Sequence, residues 1–256
     1  MKKKILAIVL CIAMLAIAIV GGTMAYFTDT KQQTNTFTAG KVSIGLDESV
    51  VENVDGNYVA TGERTHNDQS YHLFPGMTVV KDPTIVVHEG SEDTYVAAKI
   101  TITSGEAGDL EKLIGNDDGY GHMLDVSKII KGGIAVPGAS MKENHPLHNL
   151  GGKGLPVYGN DTYSVYQDVC QANGEYTGEY IMYVFFENPM KAGQSVTLFE
   201  KMEIPADWDN GEMEIMNGAT IHVKAYATQT NGFTNCYDAI VAAFGSEGGD
   251  FAAVKK

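Results

Sequence analysis

The chain has 256 residues, with 18 Lys and Arg against 32 Asp and Glu, for a net charge of −14. That length accommodates one sizeable domain. A surface this acidic repels nucleic acid and anionic membranes, which excludes both as partners of the folded part.

The N-terminus reads as an export signal. Lys2, Lys3 and Lys4 form a basic region, and Ile5 to Val20 is an unbroken apolar run. Gly21 and Gly22 break that run, and Thr23-Met24-Ala25 offers small residues where a signal peptidase reads. Cleavage is expected between Ala25 and Tyr26, leaving residues 1–25 as a removable segment and the mature protein outside the cell. The competing reading is a permanent anchor, because Ile5 to Ala25 just reaches the roughly 20 apolar residues of a spanning helix. Loss of the three lysines leaves 15 cations against 32 anions, a net −17 over the remaining 231 residues. Cys11 leaves with the signal, while Cys170 and Cys236 remain. Export permits a disulfide between them, which would stabilise the fold by about 4 kcal/mol in the chain-entropy picture. The alternative is two small buried hydrophobes.

Downstream, the chain reads mainly as strands. In Lys41 to Leu46 apolar residues fall at every second position, so one sheet face is buried and the other wet. Thr84 to Val87 is a short β-branched run opened by Pro83. Tyr95 to Thr103 alternates again, with Val96, Ala98, Ile100 and Ile102 inward. A helical spacing of Leu110, Leu113 and Ile114 lies between Asp109 and Gly115, a cap and a stop. Residues 131–160 carry seven glycines and three prolines and read as a long insertion loop. Tyr180 to Phe186 is apolar on both faces, as in a strand covered on both sides. Val196, Leu198, Met202 and Ile204 alternate, with Glu200 as the exception. Thr220 to Gln229 places Ile221, Val223, Ala225 and Ala227 on one face and His222 on the other. Tyr237, Ile240, Val241 and Phe244 have helical spacing, with Asn235 to cap the start and Gly245 the end. That helix is expected across an open end of the fold, and residues 246–256 are expected to form a flexible tail. The class is therefore all-β: a two-sheet antiparallel sandwich with a few short helices, in a single domain over residues 41–245.

Gly21 to Thr30, in Gly-Gly-Thr-Met-Ala-Tyr-Phe-Thr-Asp-Thr, resembles the junction of proteins exported through a SipW-type signal peptidase, and Asn35 to Gly40 with the Val42-Ser43-Ile44 strand fits the same pattern. Leu73-Phe74-Pro75-Gly76, Lys81 to Ile85, Tyr95 to Ile100, Ile204 to Asn210 and Tyr226 to Gln229 with Gly232-Phe233 extend the likeness. In that order they are similar to the TasA/camelysin family. The resemblance implies a jelly-roll version of the sandwich and a subunit of biofilm-matrix or cell-surface fibres. It implies as partners the peptidase during export, further copies of the same chain, and an accessory matrix protein. It also implies that the mature N-terminal segment, residues 26–40, is donated to the next subunit as a strand. Tyr26, Phe27, Thr28 and Asp29 and, further on, Thr36 and Phe37 would form that assembly strand. Cleavage would free it, and an added strand gains backbone hydrogen bonds and side-chain pockets. The alternative is that residues 26–38 pair within their own subunit.

Some members of the family are described as metallopeptidases, but the residues give that chemistry little to work with. A zinc peptidase commonly shows His-Glu-x-x-His on a helix, and here His88-Glu89 is followed by Gly90-Ser91. His145 and His148 are three apart, with Pro146 between them. No Gly-x-Ser-x-Gly elbow is present. Asn116-Asp117-Asp118-Gly119 has calcium-binding oxygens without an EF-hand's spacing, and reads as a turn. Trp208, the one tryptophan, serves either as a loop anchor against the core or as a sugar-stacking surface. The expectation is a non-enzymatic structural protein that holds no metal or cofactor. An adhesive or carbohydrate-binding module is the alternative, and a camelysin-like peptidase the least favoured reading.

Overall fold

The computed structural model describes residues 40–104, 113, 115–116, 123–124, 126–133, 157–159, 163–172 and 175–254. In chain order these form β1 (Ile44–Val54), β2 (Asn57–Thr65), β3 (Thr78–Val80), β4 (Thr84–Val87), β5 (Thr94–Thr103), β6 (Gly115–Asn116), β7 (Met123–Leu124), β8 (Ile130–Lys131), β9 (Val157–Gly159), β10 (Tyr163–Ala172), β11 (Glu175–Phe186), β12 (Ser195–Thr197) and β13 (Lys201–Glu203), then α1 (Asn210–Met216), β14 (Thr220–Gln229) and α2 (Cys236–Phe244). One sheet has the order β12-β4-β1-β2-β3-β13-β8, the other β14-β5-β11-β10-β9, and β6-β7 is a separate hairpin. Among the described residues every strand pairing is antiparallel except the β2–β3 contact at Tyr58 and Val79. The two-sheet antiparallel sandwich expected from the sequence is the fold observed. The chain passes repeatedly from one sheet to the other, at β4–β5, β11–β12 and β13–β14 among others, a wrapping unlike that of a meander.

The strand alternation locates the core. Val96, Ala98, Ile100 and Ile102 of β5 are 0–3 % exposed, and with Tyr180, Met182, Val184 and Phe186 of β11 they meet Val79, Ile85 and Val87 of the opposite sheet. The intervening residues Tyr95, Ala97, Ile181, Tyr183 and Phe185 are equally buried, but on the other side of their sheet. A sheet apolar on both faces must be covered on both. The cover on the outer side is α2, through Cys236, Tyr237, Ala239 and Ile240. The expected position of this helix, over an open end of the sandwich, is therefore corrected: the outward apolar side chains of β5 and β11 draw it onto the sheet face. Its expected caps are found, with the Asn235 side chain accepting from the Asp238 N–H at 2.8 Å and Gly245 ending the helix.

The expected flexible tail is corrected as well. Phe251 and Val254 are wholly buried, and Phe251 packs its ring against Tyr183, Phe185, Tyr226 and Phe244. Beside them the Asp250 carboxylate accepts from Lys99 at 2.9 Å, from Lys224 at 3.3 Å and from the Tyr226 hydroxyl. The glycines of this segment suggested fraying. The single aromatic at 251, which fills a hollow between α2 and the sheet, decides otherwise.

Other elements differ in detail. The run Val196 to Ile204 is two strands, β12 beside β4 and β13 between β3 and β8, parted at the fully buried Leu198 and Phe199. The hairpin of β1 and β2 closes on Asp55-Gly56, both with positive φ, at 50° and 85°. An Asp-Gly pair between strand-like runs is the signature of such a turn. Leu113 is helical and buried. The rest of the expected helix at 110–114 and most of the insertion at 131–160 lie outside the described residues.

Candidate functional site

Two neighbouring strands of the five-stranded sheet, β14 and β5, are buried unequally although built from similar material. In register, Ile221, Val223, Ala225 and Ala227 of β14 stand beside Ile102, Ile100, Ala98 and Val96 of β5. The β5 residues are buried, whereas all four on β14 are only half-buried, although they face the same core. Among the described residues β14 has a neighbour on one side only, and an unpaired edge presents free N–H and C=O groups.

The facing sheet is incomplete at the same place. β2 pairs with β1 only from Glu48 onward, so among the described residues Ile44 to Leu46 have β4 on one side and no strand on the other. The Ser43 carbonyl accepts from the His88 N–H at 2.9 Å, on the β4 side. Alternation then turns the backbone groups of Ile44 and Leu46 toward the open side, where the Leu46 carbonyl lies 2.7 Å from His66 Nδ1. Ile44 and Leu46 are half-buried against the core. A Cβ on Gly45 between them would stand 2.7 Å from His88 Nε2, so that exposed ring would have to turn aside.

Two hollows, one wide and one narrow, lie along the β14–β1 seam. Its wide end is a cleft of about 1050 Å³ reaching from Ile221 and His222 to Tyr71 and His72, floored by Ile102, Ile130 and Met202, with α1 along one wall. Near its rim the Lys81–Glu48 ion pair is mostly buried, and Gln69 donates to Glu48 at 3.0 Å. The Tyr71 hydroxyl is buried without a hydrogen-bond partner; burial, then the nearby Glu48 and Asp82 carboxylates, push its pKa up. The narrow end is a groove of about 410 Å³ between Ile44–Leu46 and Lys224–Tyr226, with Asp250 beside it. Here Cα atoms of β1 and β14 come within 8 Å of each other, closer than the roughly 9.5 Å across which two strands flank a third.

An ion cluster braces the β1 side. Arg64 donates to Asp47 and to Asp82, the latter at 2.9 Å, and Asp82 also accepts from the Ser49 N–H at 2.7 Å and its hydroxyl at 2.9 Å. Burial alone would raise the Asp82 carboxyl; the Ser49 bonds and then Arg64 outweigh it and hold the pKa below the usual range.

The sequence-derived site residues fall as follows. Ala25, Tyr26, Phe27, Thr28, Asp29, Thr36 and Phe37 lie outside the described residues, as do His145 and His148. Cys236 is a free, buried thiol, its Sγ 3.3 Å from the Val96 carbonyl, and burial pushes its pKa up. The Cys170–Cys236 disulfide is thus not formed, and the register gives the reason. Cys170 follows Val169, which pairs with Tyr180, whereas Cys236 sits at the level of Val96 and Phe186. Six residues of β11 separate the two levels, about 20 Å, against the roughly 7 Å limit between bridged Cα atoms. Trp208 packs half-buried against the core just before the Asp209 cap of α1. Among the described residues, no three His, Cys, Asp or Glu side chains gather as a metal would require. Sequence reading missed β2 and β10; the signal for β2 was the Asp55-Gly56 pair. It also missed the seam, which depends on which strand lacks a neighbour.

The fold and site define a β-sandwich in which, among the described residues, β14 is an edge strand with a half-buried inner face. Residues 1–68 match the family described as camelysin metallo-endopeptidase. That quarter of the chain, which runs through β1 and β2, bears out the resemblance to the TasA/camelysin family. No curated protein matches the chain, and no solved structure matches it.

Proposed function

We propose that this chain is a secreted, non-enzymatic structural protein whose copies join into extracellular fibres by strand addition at the seam. In this reading a SipW-type peptidase removes residues 1–25, and the segment 26–38 of one copy supplies a strand to the seam of the next. The observation that carries it is the half-buried inner face of β14 opposite the half-buried Ile44 and Leu46 of β1. An added strand would cover both and satisfy two free backbone edges. The narrow end must widen by at least about 1.5 Å to admit it, so entry begins at the wide end. Because the contact is head-to-tail and does not close on itself, it propagates as a filament.

The test compares secreted protein beginning at Tyr26 with protein beginning at Gly40, the start of a compact unit of its own. Electron microscopy and light scattering should show filaments from the longer form and folded monomers from the shorter. Folded monomers from both would refute assembly by strand addition. Casein cleavage abolished by a chelator would instead favour the activity in the family's name.

A further inference from the structure

The seam has a chemical polarity as well as a shape. Along β14, Ile221, Val223 and Ala225 face the sandwich interior, whereas Lys224 and Tyr226 face outward and meet at Asp250. Lys224 is 47 % exposed, and Asp250 keeps Lys99 and Tyr226 as partners without it. At the wide end, Asp68 and Glu214 are exposed carboxylates lining the cleft with Glu48. The seam therefore runs from an acidic mouth, past a lysine, to an aspartate.

The segment that signal cleavage would expose has the complementary order. It begins with an α-amino cation on Tyr26 and continues Phe27-Thr28-Asp29-Thr30-Lys31. In an extended strand, Tyr26, Thr28 and Thr30 share one face, and Phe27, Asp29 and Lys31 the other. We propose, resting on the strand-addition reading above, that the seam takes this segment of a second copy in one register, parallel to β14, with Tyr26 beside Ile221 and Asp29 beside Lys224. The Tyr26 ring then enters the wide cleft near Tyr71, and its amine meets the carboxylates of the mouth, a form of N-terminal amine capture. Thr28 and Thr30, small enough for the narrowing seam, stand beside Val223 and Ala225. Lys31 falls beside Tyr226, within reach of Asp250.

The opposite direction does not reproduce this match. With Asp29 beside Lys224 in an antiparallel strand, the amine would lie at the narrow end and Lys31 beside His222. The length of the segment also fits. Residues 32–39 remain between the seam and the donor's own Gly40, spanning up to about 26 Å when extended, so the second copy stands clear of the first. An uncleaved chain has no amine to offer, which makes cleavage a condition of recognition as well as of release.

Charge reversal tests the register on the full secreted chain beginning at Tyr26. Asp29→Lys alone and Lys224→Asp alone should each slow filament elongation at least about tenfold, because each sets like charges side by side. An equimolar mixture should recover, since each variant's donor then meets the other's acceptor, and the double variant should assemble by itself. Native elongation by both single variants, or a mixture that stays as slow as its components, would overturn the register while native filaments keep strand addition intact. A native chain that forms no filaments would remove both readings together.

Discussion

On its outer side the five-stranded sheet lies under α2 and the C-terminal segment, and Phe251 and Val254 are wholly buried. On its inner side the β14 edge leaves Ile221, Val223, Ala225 and Ala227 half-buried. The strands are the same and their side chains are of similar apolarity, so the difference lies in what covers them. The outer face is finished by chain that follows β14 directly and so reaches it at little entropic cost. The inner edge has no such cover among the described residues. A surface that a monomer leaves half-wet is one that a second chain can bury with gain.

Substitutions should separate the two regions. The largest effect is expected from Phe251→Ala, which empties an aromatic cluster and should cost about 3–5 kcal/mol in denaturant unfolding. A small loss would mean that the C-terminal segment is a loose cover, and the contrast with the seam would weaken. Asp250→Asn should cost about 1–2 kcal/mol, since its partners include charged lysines.

The same carboxylate fixes a pH dependence. The Tyr226 hydroxyl first, then Lys99, hold the Asp250 pKa well below the usual carboxylate range. The unfolded chain takes up that proton near pH 3.9. The stabilisation is therefore complete above about pH 4 and is lost as the pH falls further, through the folded pKa. The stability gap between the native chain and Asp250→Asn should hold steady above about pH 5 and shrink as the pH falls below about 4; a gap that stays constant down to the acid limit of the folded state would contradict this account.

Smaller effects sharpen the contrast. Asp209→Ala removes the capping box made with Glu212 at the head of α1 and should lower the thermal unfolding midpoint slightly. Ile221→Ala, on the seam, should cost the isolated subunit only about 1 kcal/mol, against 2–5 kcal/mol for a fully buried isoleucine, yet it should slow filament growth visibly. A large loss in the monomer would show that the seam is already closed. Reductant should leave the unfolding temperature unchanged, and a thiol reagent should label Cys236 only after denaturation.

How much was legible beforehand follows from the range of each interaction. The strand at Tyr180 to Phe186 was readable because both of its faces are apolar, and α2 because its stripe and both caps are local. Trp208 fitted its anchor role for the same reason, standing beside a capped helix against the core. The Cys170–Cys236 pairing was not readable, because strand register sets the two positions about 20 Å apart. Phe251 looked like part of a tail, since a lone aromatic among glycines carries no periodic signal.

By itself the sequence determined the all-β class, the alternation that assigns each side chain to a face, and the likeness of the N-terminal region to the TasA/camelysin family. These rest on period, composition and contiguous motif, which need no partner. Only the tertiary structure decided which strand lacks a neighbour, where the C-terminal aromatic seats, and that a cleft, a lysine and an aspartate follow one another along β14. Those are relations between residues as far apart in the chain as Ile44 and Asp250, and folding alone brings them together.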